Sequence, residues 1–242
     1  MKKFELTSEF VTFLGKKLFR IKALVAFGDV KEGELGGFVE KEENLDQSGD
    51  AWVSGNAWVS GDAQVSGNAQ VFGDAWVSGD AWVSGNTQVS GDAQVFGDAW
   101  VSGNAWVSGN AQVSGNAQVF GDAWVSGNAW VSGNAQVSGN AQVFGDAWVS
   151  GDAWVSGNTQ VSGDAQIQCR RDCSAASCFG SENRTTTFFR KKDGGIGVRC
   201  GCFYGTMSEF REKVKERHGD SRLAKEYLML ADLMEFRLSK DE

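Results

Sequence analysis

Proline is absent from this 242-residue chain, and histidine occurs once, at His218. Between Gly49 and Gln168 there is no lysine, arginine, histidine or cysteine. Without cations that segment cannot neutralise phosphates, so direct nucleic-acid binding along it is disfavoured. No stretch approaches the ~18 consecutive apolar residues of a membrane span, so no membrane partner is expected. The N-terminus, MKKFELTSEFVTFLGKKLF, meets Glu5 and Glu9 before any long apolar run, which argues against an export signal. Five cysteines, an odd number without such a signal, are expected as reduced thiols in a cytoplasm.

What is abundant is glycine, 32 residues, and tryptophan, 10 residues that all fall inside one segment. Formal charge divides along the same lines: −1 over residues 1–48, −10 over 49–168 and +3 over 169–242. The middle segment is twenty units of six residues, from GDAWVS through GDAQIQ. Each unit reads Gly, Asp or Asn, Ala or Thr, Trp or Gln, Val or Ile, then usually Ser or Phe. In the tetrad Ala-Trp-Val-Ser alternate residues point to opposite faces of a strand, so Ala51 and Val53 share one face and Trp52 and Ser54 the other. Gly followed by Asp or Asn supplies the corner, since Gly takes dihedrals other residues avoid and Asx side chains bond nearby backbone. Four strand residues and a two-residue corner, repeated without a break, predict a rod filled by Val and Ala.

The recurrence of an aliphatic residue every sixth position, with a small residue four places later (Val53 and Ala57, Val59 and Ala63), resembles the left-handed parallel β-helix of hexapeptide-repeat proteins. The resemblance implies a mainly β fold with three hexapeptides per coil of roughly eighteen residues. It also implies six or seven coils, a rod about 30 Å long at the ~4.8 Å strand spacing. Against this, the outward residues repeat every 24 positions as Trp, Trp, Gln, Gln, and Phe72, Phe96, Phe120 and Phe144 close four of the five blocks. Four hexapeptides per coil would align these into pure Trp and pure Gln columns, whereas three would scatter them. Three is the expected number, because the inward pattern matches the triangular family and a 24-residue period can arise by duplication.

Two sets of outward residues are candidate binding surfaces. The tryptophans Trp52, Trp58, Trp76, Trp82, Trp100, Trp106, Trp124, Trp130, Trp148 and Trp154 are expected to face solvent. They either stack on neighbours and stabilise the sheet, form a self-association face, or offer a platform for sugars or bases. The carboxylates Asp50, Asp62, Asp74, Asp80, Asp92, Asp98, Asp122, Asp146, Asp152 and Asp164 make an acidic surface. Their free alternation with Asn marks them as corner residues and argues against a calcium ladder, which needs fixed carboxylates. Many hexapeptide-repeat proteins are acyltransferases with a histidine in or beside the solenoid. This repeat has none, and His218, before Gly219, reads as a helix-end residue. The cysteines Cys169, Cys173, Cys178, Cys200 and Cys202 match no paired zinc spacing and read as small buried thiols. No metal, cofactor or catalytic residue is expected.

Residues 1–48 read as capping strands, with Val30, Leu35, Val39 and Leu45 as irregular rungs closing the open end of the rod. Residues 169–242 read as a small α+β domain. TTTFFRKKDGGIGVRCGCFYG suggests a hairpin, TMSEFREKVKERHG a helix capped by Thr206 or Ser208, and SRLAKEYLMLADLMEFRL a second helix. Phe210, Val214, Tyr227, Leu230 and Met234 form apolar stripes that either dock on the rod or join two copies of the chain. The passages GELGGFVEKEENLDQSGDAWVSGNA, GSENRTTTFFRKKDG and VRCGCFYGTMSEFREKVKERHGD resemble a group of hexapeptide-repeat proteins from phages and prophages of Gram-positive bacteria. That resemblance implies a setting in which a host protein is the target. The expected function is a non-enzymatic scaffold acting by protein binding or homo-oligomerisation. The alternatives are an inhibitor whose acidic rod imitates DNA before a host nucleic-acid-binding or defence protein, and, last, an acyltransferase.

Overall fold

The corner sets the geometry of the rod. At Gly103 φ is +75°, and an added Cβ would lie 2.8 Å from the backbone nitrogen of Gly121 in the next coil. Both the left-handed dihedral and the close approach therefore require glycine. A computed structural model describes residues 2–239. In it, Trp52 pairs with Gln70 and Val53 with Val71, a register of 18 residues, so three hexapeptides make one coil. Strands in successive coils are parallel and build three faces. The Trp52 column has seven rungs, the Gln64 column six, and the Trp58 column continues into the N-terminal strands as one ten-stranded sheet.

Every repeat valine from Val53 to Val161 is sealed inside, and the alanines line the same interior. Val suits this space because three β-branched columns meet inside a narrow triangle, where side chains much larger than Val or Ile would overpack. Where Thr replaces Ala, at Thr87, the hydroxyl donates to the carbonyl of Ser84 at 2.6 Å, so the extra polar atom is satisfied without leaving the core.

The polarity of the ladder dictates how each end is closed. Trp52 N–H donates to the carbonyl of Ala69 and Ser54 N–H to that of Val71, one coil further on. Carbonyls of this set are left over at the start of the rod and N–H groups at its end, as at the two ends of an α-helix. The N-terminal cap supplies donors. Strands β1 (Phe4–Phe13) and β2 (Lys16–Ala23) form an antiparallel hairpin, and β3 (Leu35–Val39) pairs antiparallel with β2 and parallel with the Trp58–Val59 rung. Beneath the first coil the buried Lys3 ammonium donates to the carbonyls of Ser48, Gly49 and Ala51, at 2.9 Å to the last. Burial holds its pKa below the ordinary lysine value, against the opposing pull of Asp46 and Asp50. On the third face Asn44 Nδ2 donates to the carbonyls of Gly61 and Ala63 at 3.0 and 2.8 Å. Val39 and Leu45 are the rungs the sequence suggested, opposite Val59 and Val65. Leu35 is not one: it pairs only with Lys22, below the end of the core, and is 51% exposed.

The C-terminal end supplies acceptors. Asp172 Oδ2 receives the N–H groups of Gln168 and Cys169, and Thr187 Oγ1 that of Gln160. Asp172 precedes, and Thr187 lies within, a four-stranded antiparallel meander, Cys173–Phe179, Arg184–Arg190, Ile196–Cys200 and Phe203–Thr206. The first strand was not expected, because CSAASCF lacks apolar alternation. Adjacent residues of the second strand face opposite ways: Phe189 plugs the top of the rod core, and Phe188 enters a second core beneath the helices α1 (Met207–His218) and α2 (Arg222–Leu238). Thr206 and Glu209 form the capping box that starts α1, and Gly219 ends it. The domain is fixed to the rod by Tyr204 Oη on Asp164, Arg199 Nε on Gln160 and the Lys191–Asp164 ion pair. Docking on the rod, one of the two expected arrangements, is therefore present.

Candidate functional site

Three hexapeptides per coil do not scatter the indoles at random. A Trp-Trp-Gln-Gln block of four units wound on coils of three makes every column read Trp, Trp, Gln, Gln along the axis. Trp58 meets Trp76 on one face, Trp82 meets Trp100 on the next, Trp106 meets Trp124 on the third, and Trp130 meets Trp148 on the first again. Each pair is one third of a turn from the last, so four pairs climb the rod as a staircase. Trp106 and Trp124 stack with centroids 5.7 Å apart and planes at 18°, and Trp130 and Trp148 at 5.4 Å and 10°.

Six of the ten rings also lean across the coil before them. The Nε1 of Trp76, Trp106, Trp124, Trp130, Trp148 and Trp154 donates to a serine hydroxyl 16 residues earlier, as Trp130 does to Ser114 at 3.2 Å. The stack and the hydrogen bond orient the rings, and a stacked aromatic pair contributes about 0.5–1.5 kcal/mol beyond its buried area. Even so, the seven indoles from Trp82 to Trp154 stay 39–46% exposed.

The remaining three depart from the expectation of outward exposure. Trp52 is buried, because Phe4 and Phe27 of the N-terminal cap close on it at 6.5 and 5.3 Å. Phe13, at the tip of β1, wedges between Trp58 and Trp76 at 4.9 and 5.0 Å and leaves both half-buried. The long hairpin reaches back along the rod, which a sequence window cannot show.

The corner residues form three ladders. Asn Nδ2 donates to the Oδ1 of the residue 18 further on, so Asn68, Asn86, Asn104 and Asp122 make one chain and Asn116, Asn134 and Asp152 another. Asp accepts but cannot donate, so both of these runs stop at one. Asp50, Asp62, Asp74, Asp80, Asp92, Asp98, Asp146 and Asp164 occupy the same corners. Among the described residues only Asp62, with Lys41, and Asp164, with Lys191, have a cation partner. The Lys41 hydrogen bond holds the Asp62 carboxyl below its usual range.

In the C-terminal domain Phe210, Val214, Tyr227, Leu230 and Met234 are all buried in the second core. They hold the helices to the sheet and present no surface for assembly. The exposed apolar residues of α2 are Met229, Leu233 and Phe236 on its other side. The expectation of buried thiols is also corrected: Cys169, Cys178 and Cys202 are exposed, Cys200 is half-buried and only Cys173 is enclosed. Among the described residues no group of three or more His, Cys, Asp or Glu is placed to hold a metal ion, and no helix is long and apolar enough to cross a membrane.

Burial, and secondarily Asp172, pushes the Cys173 thiol up to about 12. In the unfolded chain it ionises near 9.0, so its contribution to stability is intact below that pH and falls as pH rises toward 12. The slope is about 1.4 kcal/mol per pH unit. Denaturant midpoints measured from pH 8 to about 11 should fall more steeply for the wild type than for Cys173→Ala. Parallel curves would mean that the thiol is not enclosed.

Six stretches of the rod, residues 63–79, 93–109, 111–127, 117–133, 135–151 and 141–157, match the YdcK beta solenoid repeat family. No curated protein matches the chain. The family match and the 18-residue register agree on a repeat β-solenoid.

Proposed function

We propose that the chain is a non-enzymatic scaffold that acts by protein binding, self-association included, through the indole staircase of its rod. The observation that supports this is the exposure of seven tryptophans on a rigid rod whose interior is filled. Monomeric soluble proteins seldom expose aromatic surface repeatedly, and tryptophan is enriched at the centres of interfaces. Stacking explains how the rings are oriented but leaves their outer edges uncovered. The resemblance to phage and prophage proteins makes a host protein a second class of partner, and a cytoplasmic setting belongs to the same reading.

The rod already contains the substitution that tests this, since glutamine occupies the tryptophan slot in half of its units. Gln at Trp82, Trp100, Trp106, Trp124, Trp130 and Trp148 should leave the circular dichroism unchanged. Light scattering should then show the wild type above the 26.0 kDa monomer mass and the variant at it. A wild type that stays monomeric at every concentration would refute self-association through the indoles. The second reading, an acidic rod imitating DNA, draws on the eight repeat carboxylates that lack a cation partner among the described residues. It needs the carboxylates and not the indoles, so the same variant would keep its partner under that reading and lose it under the first.

A further inference from the structure

The C-terminal domain has a cleft with both charged and aromatic walls. A cavity of about 430 Å³ lies between the last turns of α1, the Ser181–Arg184 loop and the Cys200–Tyr204 hairpin. That volume is in the range of small-molecule sites, ~300–1,000 Å³. From this geometry we propose that the cleft binds a nucleoside phosphate, the phosphate on its cationic rim and the base on its aromatic wall.

The rim carries the charge. Arg184, Lys213 and Arg217, with His218, converge on the opening. Lys213 is paired with Glu216 at 2.8 Å and Arg184 loosely with Glu182 at 3.8 Å. Arg217 has no carboxylate partner among the described residues. Cations brought together repel one another, and an anion offsets that cost. A guanidinium fork fits phosphate oxygens with two parallel hydrogen bonds.

The wall is aromatic. Tyr227 forms the floor, held between Phe210 at 5.9 Å, edge-on, and His218, stacked at 5.6 Å. Its hydroxyl lies over Gly180, where an added Cβ would collide with it and where φ is +71°, so packing and backbone both call for glycine beneath the floor. Tyr204 rests one ring face on Phe189 at 6.4 Å and is still 42% exposed, and Phe203 beside it is half-buried. Aromatic faces next to a cationic rim suit the π-face of a base joined to a phosphate, since stacking of this kind accepts any base.

Calorimetric titration of the full-length protein with AMP, adenosine, inorganic phosphate and a 5′-phosphorylated oligonucleotide tests the proposal. AMP should bind saturably, with adenosine and phosphate each at least tenfold weaker. Arg217→Gln should weaken AMP at least tenfold, while Arg222→Gln, on a side chain 93% exposed outside the cleft, should not. Arg217 is on the surface, so an unchanged unfolding curve will show that the variant is folded. An oligonucleotide tenfold tighter than AMP would identify a strand terminus as the source of the phosphate, and equal affinities a free nucleotide. Absence of saturable AMP binding at millimolar concentration would overturn the proposal. So would phosphate bound as tightly as AMP, or unaltered affinity in Arg217→Gln.

Discussion

Val113→Asp is expected to abolish cooperative folding of the rod. Val113 is sealed at the middle of its column, with Val95 in the coil below and Val131 in the coil above, all fully buried. No donor faces that position, because the interior of the middle coils is lined by Val and Ala and the Thr87 hydroxyl is already bonded to the Ser84 carbonyl. An ionised carboxylate there loses its hydration with nothing in return, an effective cost of several kcal/mol against a total stability of about 5–15 kcal/mol. In a solenoid each coil is stabilised by its neighbours, so failure in one coil leaves two shorter rods with bare ends. Circular dichroism and thermal unfolding should show a non-cooperative or aggregated species, whereas Val113→Ile, the exchange the chain itself makes at Ile167, should fold. A cooperative transition for Val113→Asp close to that of the wild type would mean that the columns are not closed.

Asn44→Asp should lower stability by about 3–5 kcal/mol although it replaces a single NH₂ by an oxygen. Asn44 is fully buried. Its Oδ1 accepts the Lys41 N–H at 2.9 Å, and its Nδ2 serves the carbonyls of Gly61 and Ala63. The carboxylate keeps the first bond, turns the other two into contacts between oxygens, and brings a buried charge. The two rod carbonyls at this position need donors, so the loss should be far greater than for the same exchange at an exposed corner such as Asn104. The pH dependence gives the sign. A buried carboxyl has a raised pKa in the folded state and remains protonated, and able to donate, after the unfolded chain has ionised. The charge part of the penalty is therefore absent at acid pH, where the one O–H replaces one of the two donated bonds, and it grows as pH rises from about 4 through the raised value. Chemical denaturation of both proteins at pH 4 and pH 7 measures it. Equal losses at the two pH values would show that charge at this site is not the cause.

Much of this molecule is local chemistry written once and repeated. The alternation in Ala-Trp-Val-Ser puts Val inside wherever the unit occurs, and Gly-Asp or Gly-Asn makes a corner wherever it follows, so the rod and its filled interior were legible in the sequence. The helices α1 and α2 were legible for the same reason, since Thr206, Gly219 and the apolar spacing of Phe210 and Val214 act within a few residues of one another.

Other properties depend on which parts of the chain meet. The pairing of Trp106 with Trp124 follows from the 24-residue block combined with the 18-residue coil, and only the wound structure fixes the second number. Trp52 has the same local sequence as Trp100, yet it is buried because Phe4 and Phe27 come from the far end of the cap. The apolar stripe of α2 could have faced another copy of the chain, and the sheet carrying Phe188 decided that it does not. The capping roles of Lys3, Asn44 and Asp172 could not be read either. A lone lysine or asparagine has no signature, and its function at a rod end exists only because the wound ladder leaves an excess of carbonyls at one end and of N–H groups at the other. Sequence determined what each unit does to itself. Tertiary structure decided what unlike units do to each other, because burial, stacking and the pairing of orphan backbone groups are properties of surfaces brought together in space.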